Sequence, residues 1–330
     1  MDMDITSTPK ARVLSASNRH DTNAQSPFAV PPTPVLKKIG WGTGVGVFHM
    51  DRSPFSGIAR SPWALKKVIR APRSQRSIRD RLKMEAEILK KFNHPNIVGF
   101  RGFTKTADGR EVLAMEECDQ DLGSILEKRF ESGAGPMDAQ LILKIVYETS
   151  KALDYIHTEH RVIHGDMKSY NILIKGNFEE IKLSDFGVSF PVDENGIASN
   201  YVGTEIWSAP EVIKDRVACT KSDIFSLGLT IWEMICTVPP HTLSSDQDDS
   251  MSGSGNSGAD ESMEEPSSAG TRPNIPFELD SNYDLVVRLF EWCTEENASK
   301  RPSAAEIVSF IEKNLHNANT DCSDMPIDLE

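Results

Sequence analysis

Hydrophobic and polar positions along the chain follow two different periods. In the first third, short apolar runs bounded by turn residues predict β-strands at VLKKIG, VGVFHM, WALKKVI, NIVGFRGF and EVLAMEE. One stretch among them, RDRLKMEAEILKKF, instead has apolar residues at helical spacing. From about Leu122 onward the helical period dominates, which predicts helices at AQLILKIVYETSKALDYIHTEH, KSDIFSLGLTIWEMIC, YDLVVRLFEWCTE and SAAEIVSFIEKNL. The pattern predicts an α+β protein in which a small sheet carrying one helix precedes a mainly helical unit.

Three segments lie outside this pattern. Residues 1–34 are polar and contain Ser/Thr-Pro sites such as Thr8-Pro9, which is typical of a disordered regulatory tail. Residues 243–270 hold seven acidic side chains, no Lys or Arg and many Ser and Gly, so we expect a disordered acidic insert. The predicted units are therefore residues 35–118 and 119–315, the second with this insert, followed by a tail at 316–330.

Composition and charge narrow the classes of function. The 330 residues contain no apolar run long enough to span a bilayer and no apolar N-terminal stretch, so we expect a soluble intracellular protein without a membrane partner. The net charge of −13 argues against nucleic acid as the main partner. The five cysteines form no CxxC pair, which argues against a cysteine zinc site. Because the chain ends in PIDLE, with Glu330 last, we do not expect its C-terminus to bind a PDZ domain.

A glycine-rich segment between two predicted strands is the first candidate for chemistry. Glycines there let backbone amides approach phosphate oxygens closely. By itself, a glycine-rich hairpin is more often a plain turn than a nucleotide-binding site. It also has Val45 where a third glycine is usual, with Gly44 and Gly46 on either side. The candidate nucleotide-binding residues of this segment are Ile39, Gly40, Gly42, Gly44 and Val47.

The strand WALKK supplies a second candidate. Alternation places Ala64 and Lys66 on one face and Lys67 on the other. A small Ala64 leaves room for a purine, and Lys66 would reach the α- and β-phosphates of a nucleotide. Without further context, an ordinary pair of edge-strand lysines is the better interpretation. On the following helix, Glu85 is placed to pair with Lys66, whereas Glu87 faces elsewhere.

The segment HGDMKSYN and the following SDFG, whose Asp185 lies fourteen residues after Asn171, combine the groups that phosphoryl transfer needs. Asp166 would accept the proton of an attacking hydroxyl, and Lys168 would neutralise the transferring phosphoryl group. Asn171 and Asp185 would hold Mg²⁺, which prefers oxygen ligands. Each Asp alone could be a turn or cap residue, but the order and spacing together favour a catalytic role.

These motifs, together with GTEIWSAPE, KSDIFSLG and RPSA, resemble the eukaryotic protein kinase family over roughly residues 35–315. The resemblance includes the kinases that phosphorylate mitogen-activated protein kinases. It implies a bilobal fold and the use of ATP and Mg²⁺. It also implies that Met115 lies beside the adenine pocket and that Glu116 to Cys118 form the hinge. Finally, it implies a Glu211–Arg301 ion pair and a structural role for Asp223.

One position departs from the family pattern. Gly165 stands where many kinases have an arginine that pairs with a phosphate on the activation segment. The glycine removes this contact but leaves the proton acceptor, the lysines and the metal ligands in place. We therefore expect an active kinase whose control differs; the alternative is a pseudokinase that binds nucleotide and acts as a scaffold.

The position of Lys168 after Asp166, and that of Thr204 in GTEIWSAPE, resemble the arrangement in serine/threonine kinases. We expect phosphorylation of Ser and Thr hydroxyls, with phosphorylation of Tyr as a minor activity. The expected partners are protein substrates, among them mitogen-activated protein kinases, and a proline-directed kinase acting on the N-terminal tail. A phosphate at Thr8 is expected to dock on the basic region 70–91. The resemblance implies mitotic activity and a cytoplasmic location, with nuclear or spindle association in mitosis.

Overall fold

The computed structural model describes residues 28, 30, 36–42, 44–55, 58–69, 76–106, 109–199, 203–242 and 268–321. Its N-terminal part is a five-stranded antiparallel sheet with the order β1-β2-β3-β5-β4. The strands are β1 (Lys37–Gly42), β2 (Val45–Phe55), β3 (Ile58–Val68), β4 (Phe100–Lys105) and β5 (Glu111–Glu116). Helix α1 (Arg76–Leu89) packs on one face of this sheet, and the opposite face is called the outer face below.

The C-terminal part is mainly helical. Its helices are α2 (Leu122–Glu131), α3 (Ala139–Thr158), α4 (Pro210–Asp215), α5 (Thr220–Cys236), α6 (Asp284–Cys293) and α7 (Ala304–Asp321). The C-terminal part also has seven short strands: β6 (Gln120–Asp121), β7 (Val162–Ile163), β8 (Ile172–Lys175), β9 (Glu180–Leu183), β10 (Phe190–Pro191), β11 (Ile197–Ser199) and β12 (Val217–Cys219).

Aspartate caps determine where two of the helices begin. The side chain of Asp121 accepts a hydrogen bond from Ser124 N at 2.7 Å, at the start of α2. In the same way, Asp138 accepts from Leu141 N at 3.0 Å at the start of α3. Each carboxylate satisfies a backbone donor that the helix itself leaves unpaired. Helix α2 starts directly after β6.

The main core runs from the helices into the space between the two parts. Helix α5 is its centre, because it is buried along nearly its whole length, including its two ends at Asp223 and Glu233. Ala64 and Met115 of the sheet belong to the same apolar cluster as Ile231 of this helix and its neighbours. The apolar core is therefore continuous between the two parts.

The predicted α+β class is confirmed, and the element boundaries differ in detail. Strands β2 and β3 are 11 residues each, longer than the apolar runs that predicted them, because they form one hairpin that extends beyond the core. The predicted strand NIVGFRGF begins only at Phe100; Ile97 makes an isolated bridge to Leu183 instead. Helices α2 and α4 were not predicted.

Three predicted boundaries need correction. Phe28 and Val30, assigned to a disordered tail, pack against the outer face of the sheet. The last residues of the acidic insert form a turn, since Ser268 accepts a hydrogen bond from Thr271 N, and residues 243–267 lie outside the described part of the chain. Helix α7 continues to Asp321, so the predicted boundary at 315 falls inside it. Thr8 also lies outside the described residues.

In the part of the chain that the structure describes, no helix combines the length and apolar character needed to cross a membrane.

Candidate active site

The glycine-rich segment forms the hairpin between β1 and β2. Gly42 pairs with Val45, which leaves a two-residue tip. Gly44 in this tip has φ +78°, a conformation that favours glycine. At Gly46 the space is limited, because a Cβ there would require the side chains of Ile69 and Phe48 to shift. The glycines on either side of Val45 therefore keep the hairpin tight. Gly40 lies opposite Val47, and Ile39 is exposed.

Strand β3 places its two consecutive lysines in different surroundings. Lys66 Nζ lies 2.9 Å from Glu85 Oε2 and 2.8 Å from Asp185 Oδ1, so the expected ion pair is present. Lys67 points to the outer face, where its ammonium lies 4.4 Å from the centre of the Phe48 ring. Glu87 is exposed, as expected for a residue two positions further around α1. Lys66 thus connects the sheet, α1 and the segment after β9.

The charges of Glu85 and Asp185 favour the protonated, positively charged form of Lys66. Burial would lower the pKa of Lys66, but the carboxylates of Asp185 and Glu85 outweigh it and raise that pKa above its usual value. Burial of Asp185 works against ionisation, yet Lys66 holds the pKa of Asp185 down at about 2. Burial also raises the pKa of Glu85 to about 7, against the opposing effect of Lys66. Lys66 and Asp185 are therefore both charged at neutral pH.

The catalytic-loop candidates converge on one carboxylate. Lys168 Nζ donates to Asp166 Oδ2 at 2.8 Å and to Thr204 Oγ1 at 2.9 Å. The Thr204 hydroxyl in turn donates to Asp166 Oδ1 at 2.7 Å. Asn171 Nδ2 donates to the backbone oxygen of Asp166 at 2.6 Å and to its Oδ2 at 3.2 Å. These bonds fix the position of the Asp166 carboxylate and leave the amide oxygen of Asn171 available to a cation.

The residues around Asp185 fit a divalent cation. Asp185 adopts φ +61°, and 43% of its side-chain surface is exposed although Lys66 contacts it. An ionised, partly open carboxylate and an amide oxygen are oxygen ligands of the kind that hard divalent cations prefer. Among the described residues, no group of three or more His, Cys, Asp and Glu side chains is placed to hold a metal ion.

The predicted hinge follows β5. Met115 is 8% exposed and lies in the same cluster as Ala64, whose strand pairs directly with it. Glu116 lies 3.3 Å from Lys175 and 3.5 Å from Lys182, so its side chain contacts the C-terminal part. Burial raises the pKa of the Cys118 thiol to about 12, so this thiol is protonated at neutral pH.

Asp223, at the start of α5, orients the backbone of the catalytic loop. Its carboxylate accepts hydrogen bonds from His164 N at 2.7 Å and from Gly165 N at 2.9 Å. His157 lies 2.8 Å from the same carboxylate. Gly165 has φ +81°. The structural role that the resemblance implied for Asp223 is thus a direct contact with the residues just before Asp166.

Further along, the predicted Glu211–Arg301 pair is present and bidentate, at 2.8 and 2.9 Å. The Arg301 side chain is fully buried. Ser222 Oγ donates to the same carboxylate at 2.7 Å. The pair joins α4 to the segment before α7, and it supports the base of the segment that carries Thr204.

Two features of the site were missed by sequence reasoning. Leu173, on β8, is partly buried against the cluster of Ala64 and Met115; its position two residues after Asn171 was a usable signal. Glu233 accepts hydrogen bonds from Ser169 Oγ at 2.7 Å and Trp207 Nε1 at 3.2 Å. No local pattern indicates the contacts of Glu233, because Ser169 and Trp207 are 64 and 26 residues away from it in the chain.

Comparison with known proteins agrees with this geometry. Residues 34–310 match the family model of the protein kinase domain, and the chain belongs to this family. The chain is 42% identical, over 87% of its length and 91% of the relative, to human lymphokine-activated killer T-cell-originated protein kinase, also called PDZ-binding kinase.

More distant relatives are similar over the same region. The serine/threonine-protein kinase STY17 of Arabidopsis thaliana is 25% identical over 81% of this chain and 43% of that protein. The mitogen-activated protein kinase kinase MST7 of Pyricularia oryzae is 29% identical over 83% of this chain and 62% of that protein. Membership of the protein kinase family implies the use of ATP and a divalent metal ion.

Proposed function

We propose that this protein is an active kinase that transfers the γ-phosphate of ATP to Ser and Thr hydroxyls of protein substrates. The observation that carries the proposal is the arrangement around Asp166. Its carboxylate is held by Lys168, Thr204 and Asn171, while Lys66, 2.8 Å from Asp185, remains paired to Glu85. A protein that only bound nucleotide would have no need for an oriented proton acceptor.

Each residue of the arrangement has a proposed role. Lys66 binds the α- and β-phosphates, and Glu85 positions its ammonium group. Asp185 and Asn171 would hold Mg²⁺, which would supply positive charge to neutralise developing charge on the phosphates. Asp166 accepts the proton of the substrate hydroxyl, and Lys168 lies close enough to stabilise the transferring phosphoryl group.

The nucleotide site is proposed from the apolar residues and the hinge. Val47 and Leu173 are partly buried against the cluster that contains Ala64 and Met115, which gives two apolar surfaces for an adenine ring. Ile39, Gly40, Gly42 and Gly44 would cover the phosphates from the hairpin, and Glu116 to Cys118 would bind the adenine edge through their backbone.

Serine/threonine specificity rests on the bridge between Lys168 and Thr204. The 2.9 Å bond joins the catalytic loop to the segment on which a substrate peptide would lie, which suits a short acceptor side chain. Because a relative is named as a mitogen-activated protein kinase kinase, we include mitogen-activated protein kinases among the proposed substrates. Mitotic activity, a cytoplasmic location and an upstream proline-directed kinase belong to the same proposal.

The pseudokinase alternative rests on Val45 and Gly165, and one assay separates it from the active enzyme. Asp166→Asn and Asp185→Asn should each lower transfer of labelled phosphate from ATP to a basic protein by a factor of about 10² or more, since each removes a charge that the reaction uses. Asp215→Asn, at an exposed position in α4, is the matched control. Mg²⁺ dependence is measured in the same assay.

Unfolding curves of all three variants check that the fold is intact. Near-normal transfer by both active-site variants would contradict the assigned roles. Wild-type protein that binds ATP but transfers no phosphate would favour the pseudokinase.

A further inference from the structure

A histidine on β2 connects the glycine-rich hairpin to the hinge. His49 follows Val47 by two residues, so both side chains lie on the same face of the strand. The Nδ1 atom of His49 lies 2.7 Å from Oε1 of Glu117, a residue of the hinge. Its Nε2 atom lies 3.0 Å from Oδ1 of Asp51. Each nitrogen of one imidazole ring therefore contacts a carboxylate.

This geometry requires the protonated form of the ring. An ionised carboxylate only accepts hydrogen bonds, and a neutral imidazole has a single N–H donor, so it could bond only one of the two carboxylates. The imidazolium has two N–H donors and satisfies both. The hydrogen bond to Glu117 accordingly outweighs partial burial and raises the pKa of His49 above 6.5. His49 is charged at slightly acidic pH and loses its proton as the pH rises.

The groups around the ring differ in their effect on it. Lys37 pairs with His49 from β1 and is exposed, and the residue that pairs with His49 from β3 is the uncharged Ala64. The side chain of Asp51 is 93% exposed, so water screens its charge, whereas the side chain of Glu117 is 16% exposed. Among the described residues, Glu117 Oε2 is buried without a hydrogen-bond partner. The contact with Glu117 is therefore the stronger of the two.

The hinge is connected to both parts of the molecule. The side chain of Glu116 contacts two lysines of the C-terminal part, and the next residue, Glu117, contacts β2 through His49. On the same strand as His49, Val47 is partly buried against the apolar cluster proposed to enclose the adenine ring. The bond from His49 to the hinge therefore fixes the distance between this apolar surface and the backbone proposed to bind the adenine edge.

We propose that His49, in its protonated form, is a positioning residue of the nucleotide site, because its bond to Glu117 holds β2, and with it Val47, against the hinge. Loss of the proton replaces a charge-assisted bond with a weaker neutral one, so affinity for nucleotide falls as the pH rises through the titration of His49. The proposal rests on the nucleotide site proposed above and adds to it a residue that acts through its neighbours.

Calorimetric titration with the magnesium complex of a non-hydrolysable ATP analogue, at pH 6.0 and pH 9.0, tests the proposal. At pH 6.0, His49→Gln and Glu117→Gln should each bind the analogue about 5-fold more weakly than wild type, because charge-assisted bonds are roughly twice as strong as neutral ones. The double variant should bind no more weakly than either single variant, since both substitutions remove the same contact. At pH 9.0, wild type should approach His49→Gln in affinity.

Asp51→Asn is the matched control, because it removes the other carboxylate at the ring and leaves the bond to the hinge. Its affinity at pH 6.0 should stay within about 2-fold of wild type, since an exposed ion pair contributes little. Glu85, whose pKa is about 7, titrates in the same pH range. The pH dependence of wild type is therefore compared with that of His49→Gln, in which Glu85 also titrates. Thermal unfolding verifies that each variant is folded.

NMR titration of the His49 ring, assigned by comparison with His49→Gln, measures the contact itself. Glu117→Gln should lower the pKa of His49 toward 6.5. Equal affinities of wild type and His49→Gln at both pH values would overturn the proposal, and so would an Asp51→Asn variant that binds as weakly as Glu117→Gln. An unchanged His49 pKa in Glu117→Gln would contradict the role of His49 alone. Failure of every protein to bind the analogue would instead contradict the nucleotide site, and with it this role.

Discussion

Lys66 and Lys67 are adjacent in β3, but their side chains lie on opposite faces of the strand and have different surroundings. Lys66 is 7% exposed and lies between two carboxylates, whereas Lys67 is 3% exposed and lies over an aromatic ring on the outer face. Both are buried, so burial alone does not indicate which one serves the reaction. The difference comes from the alternation of side chains along the strand.

This alternation gives a prediction for the two lysines. Lys66→Met should abolish useful phosphate transfer, because Glu85 and Asp185 would lose their shared cation. Lys67→Met should be much milder, because methionine retains an apolar stem over Phe48. Initial rates at saturating ATP measure the difference, and unfolding curves identify any loss of folded protein. If Lys67→Met were the inactive variant, the roles assigned to the two faces of β3 would be wrong.

At the residue scale, the sequence predicts which functional residues act together when they lie in one short segment. Asp166, Lys168 and Asn171 share a loop, so their spacing alone indicates that they act together, and in the structure Lys168 and Asn171 both donate hydrogen bonds to Asp166. The contribution of Leu173 and the contact between Glu233 and Trp207 depend on packing between distant segments. A local pattern carries no information about such contacts.

Helix α5 supports the site at two points. Asp223 near its start holds the backbone of His164 and Gly165, and Glu233 holds Ser169 together with Trp207. Ten residues of helix separate the two carboxylates by about 15 Å. One rigid element therefore sets the position of both ends of the catalytic loop.

Glu233 should make stability depend on pH. Burial raises its pKa to about 7, from 4.5 in the unfolded chain. Between these values the folded protein keeps a proton that the unfolded chain has lost, so this residue's contribution to stability falls as pH rises through the window. The full effect approaches about 3 kcal/mol, at about 1.4 kcal/mol per pH unit of pKa difference.

Glu233→Gln should remove this loss of stability at high pH. Glutamine accepts from Trp207 Nε1 through its oxygen and donates to Ser169 Oγ, as the protonated acid would. The variant should exceed wild type in unfolding free energy at pH 8 and differ little from it at pH 4.5. Glu131→Gln, an exposed position at the end of α2, is the control. A stability difference that is the same at both pH values would contradict the raised pKa.

At the scale of elements, helical periodicity located α3, α5, α6 and α7 well, because each has a continuous apolar face. Strands β6 to β12 have only two to four residues each, too few for a period to be recognised. Their positions follow from pairing with distant segments. The packing of Phe28 was also missed, because Phe28 lies in a polar segment and only its contact with Trp63 reveals its place.

Across the whole molecule, the two parts are joined on both sides of the site. Lys66 contacts Asp185 within the site, and Glu116 contacts Lys175 and Lys182 behind the hinge. Backbone hydrogen bonds also connect the segment after α1 to β9, from Val98 N to Leu183 O at 3.0 Å. The arrangement with Lys66 paired to both carboxylates is therefore supported by contacts on both sides of the site.

The activation segment is also held by contacts that need no phosphate. Strand β10 pairs with β7, and β11 pairs with β12, which together tie the segment to the body of the C-terminal part. Arg161 donates to the backbone oxygen of Asp193 at 2.7 Å. The bridge from Lys168 to Thr204 holds the far end of the segment. Gly165 lacks the cation that would bind an activating phosphate, and these contacts supply a substitute for it.

We therefore expect the candidate phosphorylation sites of this segment, Ser199 and Tyr201, to have a small effect on activity; Tyr201 lies outside the described residues. The double variant Ser199→Ala/Tyr201→Phe should retain activity within about 10-fold of wild type, which corresponds to less than about 1.4 kcal/mol of barrier. Thr8→Ala should lower activity more, because we expect control to act through the N-terminal tail. Turnover is compared among the three proteins isolated from dividing cells. A collapse of activity in the double variant, with Thr8→Ala unaffected, would mean that another cation replaces the missing arginine and that an activation-segment phosphate still controls the enzyme.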